Sequence, residues 1–136
     1  MSVIENVAPG RILCLSIMFP HQETPENKYV VVVKIGANPA LMKINSLKRD
    51  STDLTLKKVD YPFFRNEESY LHCGSVWFNL ITVEEVIKQL TDDSKRVKGK
   101  LKDDHIRELM VRVDKSKELE RGRKREIIEA LKNSLT

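Results

Sequence analysis

Four consecutive valines, Val30-Val31-Val32-Val33, entered from Lys28-Tyr29, leave little choice of local structure. A run of β-branched residues this dense predicts a strand buried on both faces. Ala40-Leu41-Met42-Lys43-Ile44 is the expected hairpin partner, reached through Gly36-Ala37-Asn38-Pro39, a segment of turn formers. If those strands pair, Lys28 and Ser46 fall on one open rim of the hairpin. Lys28 is then a candidate to stabilise a phosphate, or to act as an acid, with Ser46 as a hydrogen-bond partner. A surface lysine ahead of a strand and a turn-forming serine would give the same spacing.

Around this hairpin the chain alternates short apolar runs with turn signals. Arg11 to Phe19 reads as the first strand, entered through Pro9-Gly10 and closed by Pro20, which cannot donate to a ladder. Residues 20–28 form a polar loop. Leu54 to Val59 reads as a further strand, broken by Asp60-Tyr61-Pro62, and Ser69 to Cys73 and Ser75 to Asn79 read as two more meeting at Gly74. At Thr82 the period changes. Thr82-Val83-Glu84-Glu85 is a capping box, followed by Val86, Ile87 and Leu90 at helical spacing. Asp92 to Gly99 reads as a charged linker. A second helix is expected from Asp103-Asp104, with Ile106, Leu109, Met110 and Val113 on one face. A third, after Ser116, carries Leu119, Ile127, Ile128 and Leu131. The expected class is α+β: a small antiparallel β-barrel with a closing helix over residues 1–90, then a basic helical extension over 91–136.

Charge sharpens that division. Residues 1–90 hold 10 Lys/Arg against 10 Asp/Glu, while residues 91–136 hold 14 against 10, so the whole net charge of +4 lies in the last third. Arg121, Arg123, Lys124 and Arg125 are its densest basic run and candidate phosphate contacts; the exposed face of an amphipathic helix would look the same. At 136 residues and 40% hydrophobic content the chain can fill one modest core without disulfides or metal. Cys14 and Cys73 lie in apolar stretches with no CxxC spacing, and read as reduced, buried thiols of a cytoplasmic protein. Met1 to Asn6 has no basic region of signal-peptide type, and the longest apolar stretch, Ile12 to Phe19, is too short to cross a bilayer, so no membrane partner is expected.

Several chemistries find no pattern. His21, His72 and His105 sit in separate segments, so no metal set and no cofactor is expected. His72 and Cys73 are adjacent in a predicted strand and point to opposite faces, so they do not chelate together, and His72 reads as a packed or rim histidine in preference to a general base. There is no Ser-His-Asp order, phosphate-cradling glycine loop or zinc spacing. Of Tyr61, Phe63, Phe64, Tyr70, Trp77 and Phe78, most should be core, with one or two left to stack on bases.

Taken in order, Pro9-Gly10-Arg11-Ile12, the polar loop to Asn27-Lys28, the strand Tyr29 to Val33, Ile44-Asn45-Ser46 and Glu68-Ser69-Tyr70-Leu71-His72-Cys73 resemble the pattern of the MazF/PemK-type toxins. The resemblance covers roughly residues 9–90. It implies an SH3-like, CcdB-related barrel, and a metal-independent endoribonuclease of toxin–antitoxin type acting on single-stranded RNA. It also implies a homodimer and an antitoxin segment as partner. On that pattern Lys28 and Ser46 take the catalytic positions, with Arg11 and His21 on the same rim as substrate contacts. Lys28 stands where the family has arginine, and a lysine offers a point charge rather than a bidentate fork. Tyr29 replaces the usual proline. The alternative is a non-catalytic module that binds nucleic acid or protein through the barrel and the basic tail.

Overall fold

The computed structural model describes residues 3–136. Its six strands are β1 (Arg11–Ile17), β2 (Glu26–Lys34), β3 (Ala40–Asn45), β4 (Leu54–Lys57), β5 (Glu68–Leu71) and β6 (Val97–Lys100). They form one antiparallel sheet in the order β4-β5-β3-β2-β1-β6. The valine run lies in β2, and all four valines are fully buried. Alternation explains how: Val30 and Val32 join one apolar cluster, Val31 and Val33 the other. The sheet is covered on both sides, as the β-branched run requires.

Three helices supply the cover. α1 (Val83–Asp92) buries Val86 and Leu90 in the cluster containing Leu13, Leu15, Val30 and Leu41. α2 (Asp103–Lys115) and α3 (Arg121–Asn133) bury Ile106, Leu109, Val113, Ile127 and Leu131 against Val31, Met42 and Ile44 on the other face. Half of the expected capping box forms: Thr82 Oγ1 accepts from the Glu85 N–H at 3.1 Å. The Glu85 carboxylate accepts from Gln89 instead. Gln89 in turn grips β1 at two points, donating to the Ser16 carbonyl (3.0 Å) and accepting from the Ser16 N–H (2.9 Å).

Two differences from the expected layout follow from tertiary pairing. Part of the stretch read as a charged linker is β6, which hydrogen-bonds to the outer edge of β1. Its two lysines and one glycine leave no apolar alternation to reveal it. The residues after 90 therefore supply both an edge strand and one side of the core. The stretch Ser75 to Asn79 is not a strand; it makes a single bridge, Trp77 to Leu41, before Asn79 turns with φ of 62°. β3 pairs with β2 through Val30–Lys43 and Val31–Met42, then with β5 through Ile44–Leu71 and Asn45–Tyr70. This shared strand curls the sheet into a half-barrel. No helix among the described residues is long and apolar enough to cross a membrane.

Candidate functional site

Lys43 is the one charge in the otherwise apolar β3 segment Ala40 to Ile44. On one side it faces Val30 of β2. On the other it faces His72, whose N–H donates to the Lys43 carbonyl at 2.9 Å, one step beyond the Ile44–Leu71 pair. Directly opposed residues of antiparallel strands share a face, with Cβ atoms about 4.5–5.5 Å apart. Lys43 and His72 therefore emerge together, on the α1 side of the sheet. Trp77, opposite Leu41, and Lys28, two residues before Val30, belong to the same face by the same alternation.

The Lys43 ammonium lies 4.1 Å from the Phe19 ring centroid and 4.9 Å from that of Trp77. Those rings meet edge to face at 5.3 Å. Burial, and then the positive charges of Lys28 and Arg49, push the Lys43 pKa down. Among the described residues none of these three cations forms an ion pair with a carboxylate. The Trp77 indole N–H is buried without a partner there. The result is a cationic rim on an aromatic base.

The loop from Ser46 to Asp53 closes the other end of this rim. Asp53 has no side-chain exposure. Its Oδ2 accepts from the Arg49 N–H (2.7 Å) and the Asp50 N–H (3.4 Å), and its Oδ1 lies 2.8 Å from His72 Nδ1. Asp50 Oδ2 stands 3.8 Å from the same ring nitrogen. The hydroxyl and backbone N–H of Thr52 both donate to the Asp50 carboxylate and lower its pKa. Arg112 of α2 braces the loop from behind, donating to the carbonyls of Thr52 (2.7 Å) and Asp53 (3.1 Å). A side chain at Gly74 would intrude: its Cβ would sit 3.3 Å from Thr52 Oγ1 and 3.6 Å from both Asp50 Oδ2 and His72 Cε1. Oxygens of Asp50 and Asp53 and a nitrogen of His72 lie within 4.8 Å of one another, a donor set chemically suited to a divalent cation.

The residues expected from sequence are scattered by comparison. Lys28 is the third residue of β2, not its opening residue, and is paired with Leu15. Ser46 lies at the same end of the hairpin but follows the last residue of β3 and is exposed. Alternation from Met42 and Ile44 directs it to the α2/α3 face, away from Lys28, and no hydrogen bond joins the two. Arg11 pairs with Lys100 and lines a cleft with Asn133 and Ser134. His21 is exposed in the loop after β1. Arg121, Lys124 and Arg125 border a groove on α3 with Asp114 and Glu129, while Arg123 stacks on Phe78 at 4.1 Å. That helix covers the opposite side of the sheet from Lys43. His105 is engaged by the Tyr61 hydroxyl at 2.6 Å.

Sequence reasoning missed Lys43, Arg49 and the Asp53–His72 pair. A lone lysine inside a buried strand was the signal for the first. For the pair there was none, since Asp53 lies 19 residues upstream of His72 with two strands, β4 and β5, between them. Comparison with protein families, curated proteins and solved structures returns no match for this chain.

Proposed function

We propose that the protein binds single-stranded RNA along the rim formed by Lys28, Lys43 and Arg49. One observation carries this reading: Lys43 sits over the Phe19–Trp77 pair with the charges of Lys28 and Arg49 near enough to act on it, and among the described residues no carboxylate is ion-paired to any of the three. Such a cluster repels itself, and a run of phosphates relieves that repulsion. The partly exposed Trp77 offers a ring for base stacking, which favours an unpaired strand over a duplex. The sequence resemblance to MazF/PemK-type toxins supports RNA as the polymer, and a toxin-like endoribonuclease as the fuller form of the activity. In that form Lys28 neutralises the scissile phosphate, while Ser46, exposed on the other face of the sheet, takes no part in the step.

Fluorescence anisotropy with a labelled mixed-sequence RNA oligonucleotide tests the reading. The variant carrying Lys28→Ala, Lys43→Ala and Arg49→Ala should lose most affinity, while one with Arg121, Arg123, Lys124 and Arg125 replaced by Ala should keep it. The reverse result would transfer the interface to α3 and support the alternative of a tail-driven binding module.

A further inference from the structure

We infer that His72, oriented by Asp53, is the proton acceptor of an RNA-cleaving site on this rim. The inference deepens the RNA-binding reading and rests on it.

Three features single out this imidazole. Its Nδ1 is tied at 2.8 Å to a carboxylate with no solvent exposure, whose second oxygen is held by two backbone N–H groups. A carboxylate fixed in this way fixes the ring too, and with Nδ1–H donating to Asp53 the lone pair resides on Nε2. The ring is nevertheless reachable: its side chain is 21% exposed. It also stands across the ladder from Lys43, so a phosphate held by the rim cations lies beside it. Ser46 has none of these properties. A hydroxyl with no base nearby cannot take a proton at neutral pH.

The step is a transesterification. Nε2 of His72 removes the proton of a ribose 2′-hydroxyl, and the oxygen attacks the adjacent phosphorus. The P–O5′ bond breaks, giving a 2′,3′-cyclic phosphate and a 5′-oxygen that takes a proton from water, while His72 returns its own to solvent. Lys43, Lys28 and Arg49 balance the charge that builds on the phosphorane. Asp53 is a positioning residue and touches no substrate atom.

The test uses the full chain, a labelled mixed-sequence RNA and a matched all-2′-deoxy strand, with EDTA present. The wild type should cut RNA to cyclic-phosphate ends and leave the deoxy strand whole. His72→Ala should lower the rate by about 10²- to 10⁴-fold, the usual contribution of a positioned base. Its RNA affinity should stay within about twofold of wild type. Added imidazole should restore part of the lost rate, a recovery that a merely structural histidine would not show. Asp53→Asn should also slow cleavage with binding retained. If Asp53→Asn fails to fold, the His72→Ala rescue decides alone.

Binding without cleavage overturns the inference and leaves the RNA-binding reading standing; no binding by wild type removes both. Cleavage by His72→Ala at the wild-type rate, or no imidazole recovery, shows that His72 takes no proton. Activity lost in EDTA and restored by Mn²⁺ would assign Asp50, Asp53 and His72 to a cation instead.

Discussion

His72 stands directly across the β3–β5 ladder from Lys43, its backbone N–H 2.9 Å from the lysine carbonyl oxygen. That hydrogen bond joins two systems with separate origins in the chain. Lys43 is placed by the β2–β3 hairpin, whereas the His72 ring is held by Asp53 in the loop before β4. Disturbing Asp53 should therefore reach the rim twice, through the His72 ring and through the Arg49 N–H that the same carboxylate accepts from.

Phosphate binding has a salt signature. Removing one phosphate-neutralising cation should flatten the dependence of log affinity on log salt by about 0.7 for a single strand. Lys43→Ala, titrated with RNA between about 50 and 200 mM salt, is expected to show that change. An unaltered slope would remove Lys43 from the interface.

Gly10 should not tolerate a side chain. Its φ is +87°, its N–H donates to the Val32 carbonyl at 2.7 Å, and its carbonyl accepts from Leu101 at 2.9 Å. An added Cβ would also press on Ile106 Cδ1 at 3.3 Å. Gly10→Ala is expected to destabilise the fold by about 1–3 kcal/mol, read from the urea midpoint at constant m-value. An unshifted midpoint would show that the turn relaxes freely.

The protein should weaken in alkali. Burial pushes the Tyr61 hydroxyl up to about 12, against an ordinary value of 10.0. Below pH 10 the phenol is protonated whether folded or unfolded, so its contribution is fully present. Between 10 and 12 the unfolded chain sheds the proton and the folded one keeps it, so stability falls as pH rises. Cys73, raised by burial from 9.0 to about 12, acts in the same direction from about pH 9 upward. Thermal melts from pH 8 to 11 should show a falling midpoint. A flat profile would contradict the burial of both groups.

The two thiols should differ in reactivity. Cys73 is 1% exposed and donates to the Leu71 carbonyl, whereas Cys14 is only half-buried. A thiol reagent at pH 8 should modify Cys14 in the native protein and reach Cys73 only on unfolding. Equal rates would mean that the loop containing Asp53 opens readily.

The α+β class, β2, β3 and the start of α1 were readable because each rests on local chemistry: a β-branched run, a turn, a threonine cap. α2 and α3 were readable from their apolar spacing. β6 was not, because Val97-Lys98-Gly99-Lys100 becomes a strand only by meeting the free edge of β1. The site was less legible still. Placing Lys28 and Ser46 together required knowing which face each residue took at the strand end, and a one-residue difference in alternation separates them. The Asp53–His72 pair depends on a loop fold, which no periodicity encodes.

Removing residues 91–136 should abolish the fold rather than trim a tail. Ile106, Leu109, Val113, Ile127 and Leu131 are all fully buried against the sheet. Replacing even one such side chain by Ala typically costs about 1–5 kcal/mol. The truncated chain should give no cooperative thermal transition. A sharp one would show that residues 1–90 hold together alone.

The position of β6 also bears on biosynthesis. Until residues 97–100 have been translated, β1 presents an unpaired row of N–H and C=O groups on a strand rich in leucine and isoleucine. A nascent chain interrupted before that point carries an edge prone to join a neighbour's. The last third of the polypeptide thus acts as a built-in chaperone, and premature termination should yield aggregates in place of shortened but working protein.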